Sequence, residues 1–246
     1  MAVTVGRSQK MSKSKKNVVD PVAITEAYGA DTARLFMLSD SPPEKDLQWS
    51  DAGVAGTSRY LERLWKLALR TIDMEDAIPA TLTPDLFAIR QQTHRTIAGV
   101  TQDIESFHFN RAVARIRELT NRLTEIDATL PGAGAVLREG VETALLLLGP
   151  MVPHITEELW QRLGHTTLLS ETAWPSADPA LLVADHVTMA VQINGKLRAT
   201  IEVPQAAENH EVEAIALAHP DMLRHLQGVV VKKVIVVKQK VVNVVV

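Results

Sequence analysis

Asn110-Arg111-Ala112-Val113-Ala114-Arg115-Ile116-Arg117-Glu118-Leu119-Thr120-Asn121-Arg122-Leu123-Thr124-Glu125-Ile126 sets apolar residues at Val113, Ile116, Leu119, Leu123 and Ile126. Steps of three and four place all five on one stripe of a helix, with charged residues filling the other faces. The stripe predicts a helix from Asn110 to about Thr129. Upstream, Leu86, Ile89, Thr93, Ile97 and Val100 mark a helix from Pro84 to Ser106. Leu61, Leu64, Trp65, Ala68 and Leu69 mark another, opened by Ser50 or Asp51 and running to about Ile72. Downstream, Pro131-Gly132-Ala133-Gly134 breaks the chain before a helix carrying Val136, Val141, Ala144, Leu145 and Leu148. Gly149-Pro150 ends that helix, and Pro153 to Leu163 forms a short last one. Ahead of them all, Asp20 caps a short helix with Pro21 at its first position, and Gly29 stops it. Ala30 to Leu38 then continues as helix up to the Ser41-Pro42-Pro43 break. Long amphipathic helices joined by short breaks pack as an up-down bundle.

The period changes after Trp174-Pro175. Ser176-Ala177-Asp178-Pro179 reads as linker, and beyond His186 strand patterns replace helical ones. Val187 to Ile193 and Leu197 to Val203 flank Asn194-Gly195, a strong hairpin signal. Glu208 to Leu226 is helical with an interruption near Pro220, and the valine-dense Val229 to Val237 and Val241 to Val246 are strands. The expected fold is mainly α with a small α+β domain: a helical bundle followed by a C-terminal strand–helix–strand module. Its expected parts are a loop and connector at 1–50, the bundle at 51–175, a linker at 176–185 and the α+β domain at 186–246.

With 246 residues, a net charge of −3 and no cysteine, the chain has ordinary globular composition and forms neither disulfides nor thiolate metal sites. An acidic balance leaves nucleic-acid contact to local patches. From His186 onward seven basic residues (Lys196, Arg198, Arg224, Lys232, Lys233, Lys238, Lys240) outnumber five acids, so the C-terminal module is locally positive. The longest apolar run, Ala144 to Val152, is about half of the ~20 residues a membrane helix requires. The histidines do not fall at the three- or four-residue helical spacing of a metal pair, so no metal site is expected. Glu157-Glu158 are adjacent on a helix and diverge by about 100°, which suits a helix N-terminus better than an acid/base pair. His154 and Trp160 beside them read as packing and capping residues. No P-loop, dinucleotide turn or nucleophile elbow is present.

The first nineteen residues hold five basic side chains and no acid: Arg7, Lys10, Lys13, Lys15 and Lys16. Alternating ammonium and hydroxyl groups in Lys10-Met11-Ser12-Lys13-Ser14 suit a polyphosphate, with lysine as a point charge and serine as a single donor.

That pentapeptide, with Val18-Val19-Asp20-Pro21 and Tyr28-Gly29-Ala30-Asp31-Thr32-Ala33-Arg34 after it, resembles the KMSKS loop region of class I aminoacyl-tRNA synthetases. The branch is the one handling leucine, valine, isoleucine and methionine. Pro153-His154-Ile155-Thr156-Glu157-Glu158-Leu159-Trp160 is similar to the helix closing the anticodon-domain bundle of that branch. Val191-Gln192-Ile193-Asn194-Gly195-Lys196-Leu197-Arg198, with Val230 to Val237 and Val242-Asn243-Val244-Val245, resembles the C-terminal domain of bacterial-type leucyl-tRNA synthetases. One departure is Lys238-Gln239-Lys240, where the family often has a Pro-Gly turn. The resemblance implies an anticodon-binding-type bundle and a loop that closes on ATP with Mg²⁺. In it Lys13, and more weakly Lys10, act in catalysis, and Lys10, Ser12, Lys13 and Ser14 contact the phosphates. It implies that the last domain meets the elbow of tRNA(Leu), with Lys196, Arg198, Lys232 and Lys233 as its candidate RNA contacts. It further implies leucine and ATP as substrates of a cytoplasmic, monomeric enzyme with no membrane partner. The family's His-x-Gly-His half, leucine pocket and editing region are absent, so the chain corresponds to a C-terminal portion expected to be inactive alone. Two alternatives are the same region of a valyl- or isoleucyl-tRNA synthetase, and a free-standing RNA-binding adaptor.

Overall fold

In the computed structural model, which describes residues 9–74, 77–183, 186–205, 207–237 and 240–246, the chain divides into two units between Leu182 and Val183. Asp20 accepts from the Val22 N–H at 3.0 Å and caps α1 (Pro21–Tyr28), with Pro21 at the position where a missing N–H costs nothing. Gly29 at φ +83° turns the chain directly into α2 (Ala30–Ser39). The bundle follows as α3 (Asp51–Leu69), α4 (Pro84–Glu105), α5 (Phe109–Thr124), α6 (Ala133–Leu148) and α7 (Pro153–Arg162). Ser50 caps α3 and Thr83 caps α4, as polar residues placed just before an apolar-periodic run do.

Val113, Ile116, Leu119 and Leu123 of α5 are all buried, and Leu145, Leu147 and Leu148 of α6 join them in one core. Each fully buried leucine of this kind contributes roughly 1.5–3 kcal/mol relative to exposure. α5 stops at Thr124, short of the expected Thr129, because Asp127 folds back and accepts from both the N–H and the hydroxyl of Thr129. Such a local side-chain bond competes with the helical ladder. Ile126 stays in the core although it lies past the helix end.

The face of α3 differs from its expected stripe. Leu61, Leu64 and Ala68 are buried, but Leu69 is 36% exposed, while Val54, Tyr60 and Leu67 go inside. α3 touches α2, α5, α6 and α7, so its buried surface wraps further round than one stripe. Trp65 stays at the margin, under the Arg162 guanidinium at 5.0 Å.

The expected linker is only partly one. Within it the Asp178 N–H donates to His94 Nδ1 at 3.0 Å, and just ahead of it Trp174 Nε1, at the end of the bundle segment, donates to Thr101 Oγ1 at 2.9 Å. A single turn, α8 (Pro179–Leu182), buries Leu181 and packs against α4. Proline- and serine-rich composition therefore marks an irregular strap held by two side-chain anchors. Residues 184 and 185 of the expected linker lie outside the described residues.

The second unit begins with β1 (His186–Ile193) and β2 (Lys196–Pro204), an antiparallel hairpin. Its turn has Asn194 at φ +47° and Gly195 at φ +79°, the two left-handed positions a type I′ turn needs. α9 (Asn209–Ala218) and α10 (Pro220–Leu226) follow, with His219 accepting from the Asp221 N–H to cap α10. β3 (Lys233–Val237) and β4 (Val241–Val245) complete a sheet ordered β2-β1-β4-β3, with β1 and β4 parallel. Met189, Val191, Ile201, Val203, Val242 and Val244 form its core with Val212, Ala216 and Met222 of the two helices. β3 begins at Lys233 and not at Val229, since its partner β4 ends at Val245 and only the Lys232 N–H still reaches the Val245 carbonyl. The Lys238-Gln239 step of the expected turn lies outside the described residues.

Candidate phosphate loop and nucleic-acid surface

Lys10 to Asn17 forms a small exposed loop built around a three-residue 3₁₀ turn, Lys13–Lys15. The Ser12 hydroxyl caps that turn by accepting from the Lys15 N–H at 3.3 Å. Its oxygen also lies 3.3 Å from the Ser14 hydroxyl. Lys16 sits at φ +52°, a left-handed conformation that reverses the chain. Asn17 then folds back: its Oδ1 accepts from the Ser12 N–H at 2.8 Å, and its Nδ2 donates to the Lys10 carbonyl at 3.4 Å. Lys10 and Lys13 are exposed, and neither forms an ion pair with a described residue. Lys10, Met11 and Asn17 border a groove of about 880 Å³ whose far wall is made by Met37 and Trp49. The loop therefore stands off the connector.

The connector is tied to the bundle by a pair of groups that sequence reasoning did not single out. α7 begins after Val152, which has no capping side chain. Asp31, buried on α2, supplies the cap from outside, accepting from the Ile155 N–H at 2.7 Å and contacting His154 Nδ1 at 2.8 Å. One turn along α2, Arg34 donates to the carbonyls of Met151 (2.9 Å) and Pro150 (3.0 Å). An acid thus meets the N-terminus of α7, which the helix dipole favours, and Arg34 satisfies two carbonyls of the turn between α6 and α7. The cue in the sequence is a proline-led helix without a Ser, Thr, Asp or Asn before it. Replacing Asp31 by Ala leaves the Ile155 N–H without this acceptor, and a loss of roughly 1–3 kcal/mol is expected in thermal or urea unfolding of the chain. Asp31→Asn retains an acceptor and should lose less.

Glu157 and Glu158 diverge. Glu157 accepts from the Leu169 and Ser170 N–H groups at 2.7 and 2.9 Å, while Glu158 pairs with Arg162. Burial pushes the Glu157 carboxyl up, but the Ser170 and Leu169 backbone donors outweigh it and hold it below its ordinary range. Trp160 is buried with its ring stacked on His165 at 3.5 Å, while His154 serves Asp31. His94 is likewise structural, set between Glu139 and the Asp178 N–H. Among the described residues no group of three or more His, Asp or Glu side chains converges on a point.

In the second unit the four candidate RNA contacts gather at one end of the sheet. Lys196 pairs with Ile193, Ile193 with Val244, and Val244 with Val234, so the residues that follow the hairpin turn lie level with the start of β3. Lys196 and Arg198 occupy one sheet edge, and Lys232 and Lys233 the other, three strand spacings or about 14 Å apart. A bulge changes their phase. Gln192 faces Leu197 and Val191 faces Ala199, which leaves Arg198 as the extra residue. In consequence Leu197, 62% exposed, shares the open face with Gln192, Asn243 and Ile235. Across that row the apolar Leu197 and Ile235 lie on the two basic edge strands, with the amides of Gln192 and Asn243 between them.

Comparison with known proteins accords with this architecture. The family model described as the anticodon-binding domain of tRNA ligase matches residues 88–214, and the chain belongs to that family. The model of class I tRNA synthetases for isoleucine, leucine, methionine and valine matches residues 2–50, the loop and connector. Within the class, the similarity is to leucine–tRNA ligases. The chain is 56% identical over 245 residues to that of Paramagnetospirillum magneticum, covering 99% of the chain and 28% of the relative. It is 53% identical over 248 residues to that of Rhodospirillum rubrum, covering 99% and 29%. It thus spans somewhat over a quarter of the length of these curated relatives. Among solved structures, the ternary complex of Agrobacterium radiobacter K84 agnB2 LeuRS, tRNA and LeuAMS superposes with a TM-score of 0.81 at 32% identity. That match covers 96% of this chain and 31% of the other. Among the described residues no helix is long and apolar enough to cross a membrane.

Proposed function

We propose that the chain is the C-terminal part of an ATP-dependent ligase that joins leucine to tRNA(Leu) in the cytoplasm, and that it supplies the phosphate loop and the tRNA-binding surfaces. The observation that carries this reading is the 56% identity to a leucine–tRNA ligase along 99% of the chain. In the reaction, a carboxylate oxygen of leucine attacks the α-phosphorus of the magnesium–ATP substrate. The bond from that phosphorus to the bridging oxygen breaks, and pyrophosphate leaves with the electron pair. The Lys13 ammonium meets the charge that builds on the leaving group, Lys10 assists, and the Ser12 and Ser14 hydroxyls donate to phosphate oxygens. A cation brought up by loop closure lowers the barrier because it interacts more strongly with the transition state than with bound ATP. The standing-off of the loop from the connector leaves it room to move. Magnesium enters this reaction with the nucleotide, and among the described residues no group of three or more carboxylate or histidine side chains gathers to hold it.

The second unit meets the outer elbow of the folded tRNA through shape and phosphate contacts. Two basic edges about 14 Å apart supply phosphate contacts on either side, while Leu197 and Ile235 on the edge strands and the Gln192 and Asn243 amides between them meet the surface of the folded RNA.

The whole protein should catalyse leucine-dependent exchange between ATP and pyrophosphate. Residues 1–246 alone should show only background exchange, since they lack the other half of the nucleotide site. Robust exchange by the isolated chain would refute the proposal, as would a full-length protein that prefers valine or isoleucine.

A further inference from the structure

We propose that Asn17 is a positioning residue for adenylate formation, acting through the backbone that presents Lys13. The inference rests on the assignment of the Lys10–Ser14 loop to the ATP phosphates.

The loop has no buried residue, and the groove of about 880 Å³ beside it means that packing does not define its shape. A 3₁₀ turn of three residues has too few hydrogen bonds to hold itself. What remains are bonds inside the loop. Ser12 fixes the start of the turn through the Lys15 N–H. Asn17 does the rest with one amide, accepting from the Ser12 N–H and donating to the Lys10 carbonyl. These two bonds close a ring across Met11 and set the direction in which the chain enters Lys13. Lys16 at φ +52° is the reversal that brings the amide back, a conformation that costs on the order of 1 kcal/mol for a non-glycine residue.

Both functions of the amide are used, so neither a carboxylate nor an apolar side chain can replace it in both bonds. Aspartate keeps the acceptor but loses the donor, and it places a negative charge among Lys10, Lys13, Lys15 and Lys16. Alanine removes both. A displaced ammonium loses most of its value, since a misplacement of about 1 Å can cost ~10²-fold in rate.

The test is a double-mutant cycle in the full-length protein, with single-turnover leucyl-adenylate formation as the readout. Asn17→Ala should slow that step by about 10–10²-fold while the ATP dissociation constant changes little. Asn17→Asp should be slowed as well. Asn17 should act through the lysine, so Lys13→Ala with Asn17→Ala should be little slower than Lys13→Ala alone. Thermal midpoint and tRNA affinity should match the parent. If Lys13→Ala slows the step and Asn17→Ala does not, the inference fails while the loop assignment stands. If the two losses multiply, or Asn17→Ala lowers the thermal midpoint, Asn17 has a separate or purely structural role and the inference again fails. If Lys13→Ala has no effect, the loop assignment falls and takes the inference with it.

Discussion

Lys13→Ala in the full-length protein is expected to slow leucyl-adenylate formation by about 10²–10³-fold, the loss typical of one preorganised donor of transition-state stabilisation. The side chain is exposed and forms no ion pair with a described residue, so its removal should leave unfolding unchanged. In the proposed reaction its partner is a charge that exists in full only as pyrophosphate departs. The ATP dissociation constant should therefore move much less than the rate constant. Lys10→Ala should act in the same direction with a smaller effect. Pre-steady-state adenylation measures both, and unchanged kinetics for Lys13→Ala would remove it from the mechanism. tRNA affinity supplies the control and should stay at the parent value.

Truncation after Leu182 is expected to have the complementary effect. It removes a unit with its own hydrophobic core and leaves the core of the bundle whole. Leucyl-adenylate formation should survive, whereas tRNA affinity and charging should fall. If Lys196, Arg198, Lys232 and Lys233 each neutralise one phosphate, the logarithmic salt slope of tRNA binding should flatten by about 3 on truncation. Single changes at Lys196 or Lys232 should flatten it by roughly 0.7–0.9 and act alike on different leucine tRNAs, because phosphate contacts carry little sequence information. Equal loss of adenylation and charging would instead mean that the unit supports the fold of the enzyme.

The two experiments act on opposite ends of the chain, and the connector is what joins the loop to the bundle. Asp31 and Arg34 anchor α2 at the junction of α6 and α7. In the proposed enzyme, the loop that meets ATP is carried on an element attached directly to the tRNA-binding bundle.

Periodicity determined that the bundle segments are helical, since apolar residues at steps of three and four share one face on a helix and not on a strand. Val113, Ile116, Leu119 and Leu123 are accordingly buried on α5. Asn194-Gly195 likewise determined the hairpin, because few residue pairs other than Asn-Gly tolerate two left-handed positions in succession. Lys10-Met11-Ser12-Lys13-Ser14 made the family legible through its resemblance to the KMSKS loop, in a region that matches the class I tRNA synthetase model at residues 2–50. Contacts between residues far apart in sequence were not legible. Asp31 as the cap of α7 lies 124 positions from the N–H it serves, and Arg34 lies 117 from the Met151 carbonyl. Residues 176–182 read as linker because local composition says nothing of the hydrogen bond from the Asp178 N–H to His94 or of the burial of Leu181. The phase of the basic residues on β2 depended on a bulge, and a bulge exists only in the pairing of two strands. Sequence order records what a residue can do within a few neighbours, and only the folded chain decides which distant group it meets.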